Sequence, residues 1–156
     1  MDSGLKGLLI GCCVLIVVGV AVIAGIFFYI RSHKDAIVAE VKELHSDGLR
    51  FGKDVAEPRC VDEAMSRYRS NAGMFGSVRT SLWLGGCLDT SALDSGFCAD
   101  VPPENEMIRT GQWRAARCSA HGFAGDASCP NIFSTVQKYC GSPGRARKAA
   151  AERGTQ

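Results

Sequence analysis

The chain has 156 residues, and its 18 Lys and Arg against 16 Asp and Glu give a formal net charge of +2. No nucleic-acid footprint follows from this near-neutral balance, because such a partner requires a strongly basic face. The length suits one modest domain. No cofactor-binding fingerprint is present, because the sequence contains no P-loop and no G-x-G-x-x-G motif.

An apolar segment without a charged residue occupies residues 8–30. About 20 such residues cross the hydrocarbon core of a bilayer, so we predict a single transmembrane helix after a short tail over residues 1–7. A cleaved signal peptide is disfavoured because its apolar region is shorter and ends in small residues. The aromatic residues 27–29 end this one instead. Lipidation of Cys12 is also disfavoured, since only about four apolar residues precede it.

The apolar segment also contains residue spacings that suit helix association in a membrane. Gly7 with Gly11, and Ala21 with Gly25, are pairs of small residues four positions apart. Such pairs allow two helix backbones to approach closely. We treat them as candidate packing positions within the bilayer.

Residues 31–56 are predicted to continue the helix as an amphipathic juxtamembrane stalk. Its apolar positions recur at alternating steps of three and four, which is a heptad-like pattern. They are Ile37, Val41, Leu44, Gly48 and Phe51. The stripe has two interpretations: packing on the protein's own globular domain, or self-association with a second copy.

Residues 57–141 contain six cysteines, an even number spread over a small region. They are Cys60, Cys87, Cys98, Cys118, Cys129 and Cys140. This pattern indicates a disulfide framework in an oxidising compartment, and therefore a domain that is periplasmic or extracellular. The excess of Lys and Arg after the apolar segment opposes this orientation. The alternative is a cytoplasmic domain with zinc-bound or redox-sensing cysteines, for which Cys118 and His121 are the nearest pair.

The spacing of the cysteines restricts their pairing. Cys129 and Cys140 are predicted to lie on one helix face about 16 Å apart, too far to bond to each other. Glycine-containing loops separate Cys87 from Cys98 and Cys118 from Cys129. Among the fifteen possible pairings, we therefore favour the set Cys60–Cys140, Cys87–Cys98 and Cys118–Cys129.

Four short helices are predicted in the cysteine-rich region, giving an all-α fold. The first spans residues 60–71. The second spans 74–84, faces the core with Phe75, Val78 and Leu82, and ends at Gly85-Gly86. The third begins at Pro102-Pro103 and ends near Cys118, with Ile108, Gly111, Ala115 and Cys118 inward. The fourth spans residues 130–139. Residues 142–156 are expected to form a basic flexible tail.

No catalytic motif is recognisable, so we expect a protein that is not an enzyme. The sequence has no C-x-x-C and no G-x-S-x-G. An enzyme that uses His121 with nearby thiols is an unsupported alternative, and an exposed loop histidine is the simpler interpretation. Trp83 and Trp113 are candidate anchors of a binding surface or simply core residues.

The first 50 or so residues resemble type IV pilin-like subunits in outline. Lys6-Gly7 before the apolar run is similar to a prepilin cleavage site, and an apolar helix leads into an amphipathic one. Cys12 stands where pilins carry a glutamate, and the β-rich head is missing. The resemblance implies an assembly subunit. Our main expectation is a membrane-anchored, non-enzymatic interaction module whose partner is another protein or a second copy.

Overall fold

The computed structural model describes residues 2–154, with side chains described for residues 15–29, 31–32 and 38–154. Six α-helices occupy this part of the chain. They are α1 (Asp2–Gly52), α2 (Glu57–Ser70), α3 (Met74–Thr90), α4 (Met107–Ala120), α5 (Cys129–Cys140) and α6 (Pro143–Gly154). The predicted all-α class is confirmed. The described residues contain one isolated bridge, between Ala56 and Ala92, and no strand.

The chain divides into two units, Met1–Glu40 and Val41–Gln156. In the first unit, the side chains of residues 15–29 are exposed, including Ala21 and Gly25. The candidate packing positions Gly7 and Gly11, and the stripe residue Ile37, lie outside the described side chains. Among the residues that the structure describes, no helix has both the length and the apolar character needed to cross a membrane.

The core of the second unit is formed mainly by α2, α3 and α5. Its largest buried side chains are Tyr68 from α2, Trp83 from α3 and Phe133 from α5. Around them are packed Cys60, Val61, Ala64, Met65, Leu84, Cys87, Leu88, Cys118, Cys129, Ile132 and Val136. Each helix presents these residues at steps of three and four, so one face of each is apolar and the other remains in water.

The last turns of α1 contact α3 at very short range through glycines. A Cβ atom at Gly48 would collide with the carbonyl oxygen of Trp83, and one at Gly86 with the carbonyl oxygen of His45. The prediction that Gly85-Gly86 ends the helix is wrong, because α3 continues to Thr90. Gly86 provides room for a neighbouring backbone there.

A polar cluster around Asp47 fixes the same contact between helices. Its carboxylate accepts hydrogen bonds from Trp83 Nε1 at 2.8 Å and from Arg67 at 3.1 Å. The hydrogen bond from Trp83, followed by the charges of Arg67 and Arg50, lowers the pKa of Asp47 against the opposing effect of burial. Asp47 therefore remains ionised at neutral pH and links α1, α2 and α3.

The heptad-like stripe in α1 is divided between two environments. The Phe51 ring packs on Trp83 with a centroid separation of 5.2 Å, and Gly48 is buried. Leu44 is half-buried, whereas Val41 is 38% exposed. The C-terminal part of the stripe therefore packs on the protein's own domain, which leaves Val41 available to solvent.

Two predicted inward faces are wrong at most of their positions, although Cys118 is buried as predicted. In α3, Phe75 is 83% exposed and Val78 is 52% exposed, because the helix turns a different face inward, on which Gly76, Ser77 and Thr80 are buried. In α4, Ile108 is 80% exposed, and Gly111 and Ala115 also face solvent. The buried residues of α4 are Thr110 and Cys118.

The start of α4 also differs from the prediction. The helix begins at Met107 and not at Pro102-Pro103, because the prolines belong to the preceding loop. The carbonyl oxygen of Pro102 accepts a hydrogen bond from the buried amide of Gln137 at 2.8 Å. That bond holds the loop against α5.

The expected flexible tail is instead mainly helical, since α6 spans Pro143–Gly154. The Arg145 guanidinium forms an ion pair with the fully buried carboxylate of Glu57, with a shortest distance of 2.8 Å. The Lys148 ammonium donates to the carbonyl oxygen of Ser91. These contacts dock α6 on the cysteine-rich domain.

Candidate functional site

Three disulfide bonds cross-link the second unit. They are Cys60–Cys87, Cys98–Cys140 and Cys118–Cys129, with Cα–Cα distances of 5.8, 5.6 and 6.0 Å. The predicted bond Cys118–Cys129 is confirmed. The predicted bonds Cys60–Cys140 and Cys87–Cys98 are wrong.

The length of α3 explains the two incorrect pairings. Because α3 extends to Thr90, Cys87 lies inside a helix and not at the edge of a loop. It points into the core, where it meets Cys60 of α2. Cys98 in the loop is then free to reach Cys140 at the end of α5.

A cleft of about 310 Å³ lies between α2, the loop before α4, α4 and α5. Each of these elements provides part of its wall. The lining residues are Pro58, Val61, Asp62, Asp94, Gly96, Phe97, Trp113, Arg117, His121, Phe133 and Val136. Clefts of this size with a largely apolar wall and a few polar groups are the usual form of a binding site.

Aromatic rings form a continuous part of the cleft wall. Trp113 and Phe133 meet edge to face, with ring centroids 5.9 Å apart. The ring centroids of His121 and Phe133 are 5.8 Å apart. The Arg117 guanidinium carbon is 5.8 Å from the Trp113 ring centroid. Rings held against one another in this way form a rigid apolar wall, in which Trp113 and His121 are partly exposed and Phe133 is buried.

The polar groups of the cleft carry charges of both signs. Arg117 forms an ion pair with Asp100 at 2.7 Å, and Asp62 lies on the α2 wall. Burial lowers the pKa of His121, and the charges of Arg117 and Arg69 lower it further against the opposing charge of Asp62. The imidazole is therefore neutral at pH 7 and can both donate and accept a hydrogen bond.

The disulfides lie beside every wall of the cleft. Each lining residue is within five positions of a bonded cysteine: Val61 follows Cys60, Phe97 precedes Cys98, and Arg117 precedes Cys118. Cross-links at these positions restrict the relative motion of the walls. A cleft that is already ordered loses less entropy when it binds a ligand.

The alternative chemistry considered for His121, in which it acts with the thiol or thiolate of Cys118, is not available while the disulfide is intact. Cys118 is bonded to Cys129, so it provides neither a thiolate nucleophile nor a zinc ligand while that bond is intact. Among the described residues, no group of three or more His, Cys, Asp and Glu side chains is placed to hold a metal ion. The residues that line the cleft are suited to binding.

Sequence reasoning identified only part of this site. Trp113 and His121 were singled out, and both line the cleft, whereas Trp83 is buried in the core. Phe97, Asp62 and Arg117 were missed. One local feature could have indicated Phe97: it is a large aromatic residue in a polar loop, and a disulfide at the neighbouring Cys98 fixes its position.

Comparisons with known proteins add no relative: no family model, no curated protein and no solved structure matches this chain.

Proposed function

We propose that this protein is a membrane-anchored, non-enzymatic binding module. Its cleft receives an apolar or aromatic side chain of a partner protein outside the cytoplasm. The observation that carries the proposal is the aromatic cleft formed by Phe97, Trp113 and Phe133, with a disulfide beside each of its walls. A rigid concave surface of this kind is suited to hold one anchor residue of a partner.

The size and polarity of the cleft define the ligand group. A volume of about 310 Å³ accommodates one large side chain but not a folded domain. The half-buried rings of Trp113 and Phe97 suit an aromatic or branched aliphatic group. Arg117, neutral His121 and Asp62 surround it with donors and acceptors for the partner's backbone or polar groups.

Two features support the proposed compartment, namely the disulfide bonds and the sequence of the N-terminal segment. Stable disulfides are typical of oxidising compartments, which supports a periplasmic or extracellular domain. Residues 8–30 contain no charged residue and have the length of a bilayer span. Together these features support a single-pass protein with the cysteine-rich domain outside the cytoplasm and the bilayer around residues 8–30.

Site-specific photo-crosslinking in native membranes tests the binding site. A benzophenone amino acid replaces Asp62, whose side chain is more than half exposed at the cleft. The matched control places the same group at Ser119, which is exposed on α4 and does not line the cleft. We expect a discrete crosslinked adduct from position 62 that is absent from position 119.

A second variant shows whether the adduct depends on the cleft. Gly96→Phe adds a ring at the cleft wall, where a Cβ would meet only Asp94 Oδ1 at 3.4 Å. The control is Gly111→Phe, since a Cβ there would have no neighbour within 4 Å. We expect Gly96→Phe to abolish the adduct and Gly111→Phe to preserve it. The proposed site would be refuted if the same adduct formed from the probe at position 62, from the probe at position 119, and in both glycine variants.

A further inference from the structure

The three disulfides differ in how far they are accessible to solvent. Cys60, Cys87 and Cys129 are completely buried, and Cys118 is 2% exposed. Cys98 and Cys140 are both half-buried. The bond between them is therefore the one disulfide of the described residues in which both partners retain contact with water.

An open cleft of about 550 Å³ leads to this bond. Both Cys98 and Cys140 line it, together with Pro103, Glu104, Gln137 and Lys138. This cleft is distinct from the aromatic one, since the two share no lining residue. Its volume admits a small thiol compound, whereas the two buried bonds offer no such approach.

We propose that Cys98–Cys140 is a modification site at which the folded protein undergoes thiol–disulfide exchange with a small external thiol. A thiolate attacks one sulfur of the bond, forms a mixed disulfide and releases the other cysteine as a thiolate, which takes a proton from solvent. A second external thiolate then attacks the external sulfur of the mixed disulfide and displaces the remaining cysteine as a thiolate, which also takes a proton from solvent. The two external thiols are thereby oxidised to one disulfide, and their two electrons reduce Cys98 and Cys140 to thiols. This inference does not rest on the proposed binding function.

The charges at the cleft bear on the attack in opposite directions. Lys138 brings a positive charge, which favours an approaching thiolate and the thiolate that leaves, whereas Glu104 brings a negative charge. Both side chains are exposed, so solvent screens their effects. The partial exposure of Cys98 and Cys140 at the cleft is therefore expected to determine which bond opens first.

The loop that carries Cys98 has other attachments that persist after exchange. Gln137 donates to the carbonyl oxygen of Pro102 at 2.8 Å, and Glu57 accepts from the backbone N–H of Asp94 at 2.8 Å. The two buried disulfides also remain in place. Opening of Cys98–Cys140 therefore loosens the loop beside Phe97 without unfolding the domain.

The test is a time course of thiol exchange with reduced glutathione on the folded full-length protein in detergent. Samples are quenched with acid, alkylated and analysed by peptide mass spectrometry. We expect Cys98 and Cys140 to become alkylated at least ten times faster than the other four cysteines. A glutathione adduct on one of these two is expected as the intermediate. In denaturant, the preference for this bond is expected to disappear.

A double variant assigns the fast reaction. Cys98→Ser with Cys140→Ser removes the exposed bond and is expected to remove the fast phase while the helical circular dichroism is retained. If Cys60–Cys87 or Cys118–Cys129 opens first or at the same rate in the folded protein, the proposal is refuted. A fast phase that persists in the double variant would also refute it.

Discussion

Arg145 and Glu57 lie 88 positions apart in sequence, yet their side chains form an ion pair in which the Glu57 carboxylate is fully buried. The carboxylate also accepts a hydrogen bond from the backbone N–H of Asp94. This pair connects α6 to the first turn of α2 and to the loop before α4. It makes the C-terminal helix part of the domain.

Arg145→Ala should lower the free energy of unfolding by about 3–5 kcal/mol, because it leaves the Glu57 carboxylate buried and unpaired. Denaturant unfolding monitored by circular dichroism measures this change. The control is Arg153→Ala, an exposed residue of the same helix, for which the change should stay within about 0.5 kcal/mol. Equal effects of the two variants would show that α6 is not docked through Glu57.

Gly48→Ala should destabilise the protein by about 2–3 kcal/mol, because the new methyl group collides with the backbone of Trp83 and Cys87. Gly111→Ala provides the opposite case, since a Cβ there has open space on the exposed face of α4. It should stabilise the protein by about 0.5–1 kcal/mol through helix propensity. Thermal unfolding of the two variants under identical conditions checks the opposite signs.

Asp126 caps α5 from a position before the helix. Its Oδ1 accepts from the backbone N–H groups of Ser128 at 2.7 Å and Cys129 at 3.0 Å, and the Tyr68 hydroxyl donates to both oxygens. The hydrogen bond from Ser128, with those from Cys129 and Tyr68, lowers the pKa of Asp126 against the effect of burial. Asp126→Asn should lower the free energy of unfolding by about 1 kcal/mol at neutral pH in urea unfolding, because the amide oxygen still accepts the backbone N–H groups but lacks the charge that strengthens these bonds.

The pH dependence of that cost follows from the direction of the shift. A carboxyl group with a lowered pKa in the folded state stabilises the fold above its ordinary value near 4. This stabilisation is lost as the pH falls through the folded pKa. The difference in the free energy of unfolding between wild type and Asp126→Asn should therefore be largest at pH 6. It should decrease steadily below pH 4. A difference that is constant from pH 6 to pH 2 would contradict the assignment.

His121 should make the fold less stable in mild acid. Burial lowers its pKa, with Arg117 and Arg69 acting in the same direction and Asp62 opposing them. The stabilisation is thus present above the ordinary pKa near 6.5 and is lost as the pH falls below it. Wild type should lose more stability than His121→Gln between pH 7.5 and pH 5.5 in urea unfolding. Parallel losses would indicate that His121 is not desolvated.

Structural features that depend on residues close together in the sequence could be predicted. The proline in the first turn of α5 marks the start of that helix, and Cys118 and Cys129 are close because only a short loop separates their helices. In each case the controlling interaction lies within about a dozen residues, so local spacing contains the necessary information.

Features that depend on distant contacts were not predictable in the same way. Gly86 has the local character of a helix stop, and only the approach of α1 explains why it lies within α3. The partner of Cys60 depends on that extension of α3. Residues 143–154 have the composition of a solvated tail, and the buried Glu57 that receives Arg145 lies in another helix. The spacing of residues within one segment does not show which distant segment will contact it.

The most direct test of the account is a disulfide map of full-length protein, isolated from native membranes with an alkylating agent present throughout. We expect three cystine-linked peptide pairs, corresponding to Cys60–Cys87, Cys98–Cys140 and Cys118–Cys129. Before lysis, a membrane-impermeant protease should reach the cysteine-rich domain from outside the cytoplasm. Six alkylated cysteines in freshly isolated protein, or a domain accessible only from the cytoplasmic side, would contradict the proposed cross-linked module and its location.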